Sequence, residues 1–338
     1  MKRNTFSCAA LCALLSLAAG AGAQNATVSY IEGDPDLRNG SGAVTPLDYD
    51  SKLRTGDSVL TGKAEQVELA QGADTTIRIR SNTVFTIREV DTGAGKEQVL
   101  TTAVGAVSMR FGKLAGREPR VGTVGTVAGI RGTELTVYAS PDGSALFVVE
   151  SGLVSVGAAG ATVELAKDEA VEVSAAGVPG EKFSVIGREK DFSAWEEKKA
   201  QELLADPVAA LNDARIMLST FRSGLDEWTA KYRDAKSLSD AAVEKMNSIA
   251  DKAEQAKFRD EQWAPLALQT GNAVLNYRYY ALSAFSLRRY VLGPLYVQMR
   301  TRNMAAETPE YRAFREAYNL LLAEYKQTFN PYLGAVDY

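Results

Sequence analysis

Side chains able to do chemistry are sparse in this chain, and the gaps among them exclude as much as the groups present suggest. No histidine occurs in the 338 residues, which removes the usual general base near neutral pH and the commonest nitrogen ligand for a metal. Both cysteines, Cys8 and Cys12, lie in the first 23 residues, so neither disulfide nor thiolate chemistry is expected beyond them. Carboxylates, arginines and phenols are what remain. The adjacent pairs Glu196-Glu197 and Asp260-Glu261 are raw material for a hydrolase. On a helix, however, neighbours point about 100° apart, so each pair is expected to be surface charge. Asp34, Asp36 and Asn39 crowd one loop without the spacing or the closing glutamate of an EF-hand, which predicts a solvated turn. Gly122, Gly125 and Gly129 match neither the dinucleotide fingerprint nor the P-loop and are read as strand bends. No metal and no cofactor is expected, and the chain is read as a non-enzyme.

The arginines are more specific. Arg131 stands between Gly129-Ile130 and Gly132-Thr133-Glu134, where flanking glycines leave room for a guanidinium to be held by backbone carbonyls or a carboxylate. The expectation is a structural, buried arginine with Glu134 as partner, whose removal would sharply lower thermal stability. From Thr133 the order Thr-Glu-Leu-Thr-Val-Tyr sets Leu135 and Val137 on one face and Glu134, Thr136 and Tyr138 on the other, a half-buried strand.

These residues carry a resemblance. Gly129-Ile130-Arg131-Gly132-Thr133-Glu134 resembles the Gly-Val-Arg-Gly-Thr-Glu-Phe signature of the FecR domain family. Leu53 to Asp57, Val59 to Gly62, Val67 to Leu69, Ser81 to Ile87 and Val148 to Val156 resemble its flanking strands. Val124 stands where the family usually has proline and Leu135 where it usually has phenylalanine, and both keep apolar character. The likeness spans about residues 24–183. It implies a layered, antiparallel, solenoid-like β domain in an extracytoplasmic protein. The family's best-known members regulate sigma factors in response to outer-membrane iron transport, through a cytoplasmic segment and one membrane span.

The elements that must position such groups fall into two blocks. Residues 1–23 carry Lys2 and Arg3, an apolar run and Ala21-Gly22-Ala23, which reads as a cleaved export signal and predicts a periplasmic or secreted protein. Glycine-punctuated strands recur through residues 24–183, giving an all-β domain. Residues 184–338 are rich in Ala, Glu, Lys and Leu, giving a helical bundle. The fold class expected is therefore α+β in separate domains, β first. Asp206-Pro207 is expected to start a helix whose stripe Val208, Leu211, Leu218, Phe221, Leu225, Trp228 and Tyr232 seeks a partner. Ser239 is expected to cap a further helix running to Lys257. A fourth helical region from Trp263 to Arg302 should break or kink near Gly293-Pro294, and Thr308-Pro309 should open the last helix.

Lys and Arg total 38 against 42 Asp and Glu, so the basic excess that nucleic-acid binding calls for is absent. All three tryptophans and most tyrosines fall in the helical block. There Tyr277, Arg278, Tyr280, Arg288, Arg289 and Tyr290 interleave aromatics with arginines, a candidate surface for a partner. Arginines interrupt its apolar run, so no membrane span is expected, while peripheral membrane contact stays open. The reading is a cell-envelope binding, scaffolding or sensing protein whose partner is an envelope protein. A glycan- or peptidoglycan-binding protein is the alternative, and a carboxylate-dependent hydrolase comes last.

Overall fold

The computed structural model describes residues 26–72, 74–91, 96–112, 120–158, 161–188, 191–303 and 307–335; the export signal expected over 1–23 lies outside them. Strands come first. They are β1 Ala26–Glu32, β2 Asp36–Arg38, β3 Val44–Pro46, β4 Lys52–Leu53, β5 Ser58–Leu60, β6 Gln66–Gln71, β7 Thr75–Ile79 and β8 Val84–Asp91. The remainder are β9 Lys96–Arg110, β10 Arg120–Gly122, β11 Val127–Ala139, β12 Ala145–Ala158, β13 Ala161–Leu165, β14 Glu169–Val173 and β15 Phe183–Ser184. Helices follow as α1 Ser193–Ala205, α2 Pro207–Ser248, α3 Lys252–Phe258, α4 Ala264–Leu287, α5 Gly293–Arg302 and α6 Pro309–Phe329.

All fifteen strands hydrogen-bond into one network, antiparallel except where β10 runs parallel to β9. Its layering comes from bends inside three long strands. The first half of β9 pairs with β8, and its second half, beyond Gly105, pairs with β7 and β11. In β11 the ladder to β12 slips between Arg131 and Glu134, and β12 turns at Gly152 from β14 to β13. Gly105 has φ +91° and its missing Cβ would lie 2.6 Å from the Thr83 backbone, so only glycine fits that bend. The curled sheet closes on one core, to which Val28, Leu69, Ile77, Ile79, Phe85, Leu100, Leu135, Val137 and Phe147 all contribute.

The outer face of the sheet is covered as well. Tyr138, Leu146 and Val148 are buried against Phe183, Phe192 and Trp195, and the Phe192 ring meets Tyr138 edge-on at 5.8 Å. The half-buried strand expected from Thr133 onward is thus buried on both faces, because the link into α1 lies across it. Farther along, Ala103 and Val124 of the β part join Leu211, Met217, Leu218, Phe221, Leu287, Phe314 and Tyr325 in a second core. Strands and helices are separate along the chain but share this interior.

In the helical part Asp206 caps α2 by accepting from the Ala209 amide at 2.9 Å, as the Asp-Pro pair predicts. Ser239 starts no helix. It is buried in the middle of α2, which runs unbroken for 42 residues, about 63 Å at 1.5 Å per residue. Nothing around Ser239 breaks the helical pattern, so the cap belongs instead to Asp251, which accepts from the Ala253 and Glu254 amides ahead of α3. α3, α4 and α5 form one run joined by π turns at Arg259–Trp263 and Arg288–Leu292. Pro265 and Pro294 sit just past those turns. Proline offers no amide to the carbonyl four residues back and crowds it, and the wider turn lets the Gly293 amide reach Arg288 O, five back. Thr308 accepts from the Tyr311 amide at 3.1 Å and opens α6.

Candidate functional site

The joint between sheet and helices holds the most unusual polar group of the molecule. In β8 the order Val84, Phe85, Thr86, Ile87, Arg88 alternates, with Phe85 and Ile87 in the sheet core. Arg88 therefore points to the other face, under α4, where its residue is only 6 % exposed. Its Nη2 donates to Ser286 Oγ at 2.6 Å and its Nη1 to Ser283 Oγ at 3.4 Å. No carboxylate pairs with it among the described residues. Burial holds its pKa below the usual arginine value, and the phenols of Tyr279 and Tyr290 are the nearby groups that oppose this. A guanidinium in such surroundings stays protonated, so a cation is buried among hydroxyls.

Register extends the polar surface across the strands. Arg38 lies opposite Ser58, Ser58 opposite Thr86, and Thr86 opposite Thr101, so these four side chains share the face that carries Arg88. Ser58 Oγ and Thr86 Oγ1 are 2.9 Å apart. Half-buried Arg38 donates from Nη1 to the Tyr290 hydroxyl at 2.5 Å, tying β2 to the π turn after α4. The Tyr279 phenol is pushed up by burial, while Arg88 pulls it down.

The aromatic and arginine residues expected to face a partner mostly look inward, to α2, to α6 or to the sheet. Tyr277 meets Tyr232 of α2 at 5.9 Å, and Tyr280 fills the space left by Gly224. Arg288 lies 5.2 Å over the Tyr325 ring, and Tyr290 is the acceptor for Arg38. Arg278 is half-buried, and Arg289 is exposed beside the Tyr290 ring at 5.8 Å.

The carboxylates behave as the spacing predicts. Asp260 is exposed and bonded to Arg259 at 2.7 Å, and Glu197 is exposed. Asp34 and Asp36 are exposed, and Asn39 Oδ1 accepts from the Ser41 and Ala43 amides within its own turn. Among the described residues no group of three or more acidic, His or Cys side chains could hold a metal ion. Glu196 is different: half-buried in the first turn of α1, its carboxyl is pushed up to about 7 by burial, with Arg80 opposing and Asp191 adding to the shift.

Residues 57–155 match the family model described as FecR protein. That stretch is similar to a FecR domain and makes up under a third of the chain. No curated protein matches the chain. Two crystal structures of a provisionally named anti-sigma factor from Parabacteroides distasonis are similar at 16% and 15% identity, with TM-scores of 0.34 and 0.30. They are matched over 41% and 37% of this chain and 63% and 57% of theirs, so the chain spans under two thirds of their length.

Within the FecR-matched stretch the Gly129 to Glu134 motif sits at the bend of β11. Arg131 is a correction to the reading of the residues: its side chain is exposed, not buried, and Glu134 stands opposite Arg110 in the ladder. The flanking glycines leave space, and that space opens to solvent. Buried Thr133 does the joining, accepting from the Arg131 amide and donating to Leu153 O, both at 3.1 Å. Gly132 at φ +55° and Gly152 at φ +82° make the paired turn, and Ile130 anchors it in the core. The motif is a strand corner, and the side chain most suggestive of chemistry is its least constrained member.

Proposed function

We propose that this protein is a non-enzymatic sensing or scaffolding component of the cell envelope that acts through contact with another envelope protein. The observation that carries the reading is the FecR match over residues 57–155. The domain limits suggested are 24–183 for the FecR-like part and 184–338 for the helical part. Export rests on the sequence of residues 1–23, and no described helix is long and apolar enough to cross a membrane. The helices lie on the sheet through a shared core, which supports a single body presenting one outer surface. In this reading Tyr277, Tyr280, Arg288 and Tyr290 fix that body together, and exposed Arg289 is the member of the stretch offered to a partner.

Crosslinking in intact cells followed by mass spectrometry tests this. The expected result is one reproducible envelope-protein neighbour, with crosslinks in the FecR domain. Crosslinks confined to cytoplasmic proteins, or turnover of a substrate by the purified protein, would defeat the proposal.

A further inference from the structure

Among the described residues the buried cation at the joint lacks the anion that normally accompanies one. Arg88 has only the hydroxyls of Ser283 and Ser286 as acceptors among the described residues. Arg38, reaching the same phenol that influences Arg88, keeps its Nε buried and without a hydrogen-bond partner. One strand over, Thr101 is 1 % exposed on the same face, and its Oγ1 is also unpartnered. Buried donors of this kind are costly when unmet, and a buried charge far more so. Two guanidiniums and a row of hydroxyls form a donor set for an oxyanion: charge-assisted bonds from the arginines, neutral bonds from the hydroxyls.

We propose that the seam where β2, β5 and β8 meet α4 and the π turn after it is a binding site for a small oxyanion, held between Arg38 and Arg88 with Tyr290 at its rim. Half-exposed Arg38 and Tyr290 give the route in, and the buried Arg88 gives the affinity. Because the ligand would touch both the FecR domain and the helices, its binding would strengthen their junction, coupling an anion signal to the stability of the whole body.

The test uses the full chain and inorganic phosphate, followed by thermal unfolding and by ³¹P line broadening, with sodium chloride at matched ionic strength as reference. Expected is a saturable rise in Tm of about 3 °C near saturation, with affinity about tenfold weaker in Arg38→Gln, which removes one charge-assisted contact. Arg38 is half-exposed, so this variant keeps the test usable where Arg88→Met fails to fold. A parallel acetate titration separates carboxylate from tetrahedral oxyanion; binding of either, weakened by Arg38→Gln, supports the site. A phosphate response no larger than that to chloride, with acetate equally inert, would overturn it. So would equal titrations of wild type and Arg38→Gln.

Discussion

Arg88 Nη2 donates to Ser286 Oγ at 2.6 Å, joining the middle of a FecR strand to the last turns of α4. Through this bond a buried charge belongs to both halves of the chain. Replacing Ser286 by Ala leaves Arg88 one long bond, at 3.4 Å to Ser283. The expected loss is about 1–3 kcal/mol, read as a lower urea midpoint with unchanged slope. An unaltered midpoint would mean the serine does not carry the charge.

Glu196 gives the molecule a pH dependence of definite sign. Its carboxyl is raised from 4.5 to about 7, so the folded state holds a proton that the unfolded chain releases. Its contribution is fully present below about pH 4.5 and is lost as pH rises through about 7. Glu196→Gln removes that loss. Relative to wild type, the variant is expected to gain on the order of 3 kcal/mol at most at pH 8 and little at pH 4. A gain that does not grow between these pH values would show that the carboxyl titrates normally.

At the FecR corner the two kinds of motif residue separate cleanly. A Cβ on Gly152 would lie 2.5 Å from Gly132 O and 2.7 Å from Arg131 O, at a φ of +82° that side chains avoid. Gly152→Ala should cost about 3 kcal/mol or more. Arg131→Ala, at an exposed side chain, should stay within about 0.5 kcal/mol. Chemical denaturation of both variants checks the pair, and a reversed ranking would restore the arginine as the pin of the corner.

Much of this was legible in the residues. Glycine spacing and alternation located the β part, the Asp206-Pro207 and Thr308-Pro309 pairs marked helix starts, and Val208, Leu211, Leu218, Phe221 and Leu225 of the α2 stripe enter the second core, while Trp228 and Tyr232 stay outside it. Four things were not legible, the first three for a tertiary reason. The alternation of Thr86-Ile87-Arg88 gives arginine the water-facing side by default, and only the helices laid across it turn that side into interior. A different cover, the link into α1, buries Tyr138, whose strand has the pattern of a half-exposed one. Arg131 looked enclosed because glycines flank it, but glycines make room without saying whether protein or solvent fills it. Ser239 failed as a cap because cap residues also occur inside long helices, and no breaker accompanies it.

The shared core predicts that the two halves unfold together. Met217 of α2 reaches into the β part, where a Cβ on Gly125 would come within 2.9 Å of its Cε and one on Gly143 within 3.6 Å. Met217→Ala empties that contact and should cost about 2–5 kcal/mol. Trp195 packs on the sheet, so in a Trp195→Phe background the fluorescence of Trp228 and Trp263 follows the helices, while amide exchange in β9 and β11 follows the sheet. Both probes should give one transition in that background and shift together when Met217→Ala is added, because helices and strands bury the same side chains. If fluorescence moves and the strand amides keep their protection, the FecR domain folds without its helical cover, and the joint around Arg88 is an interface between independent domains.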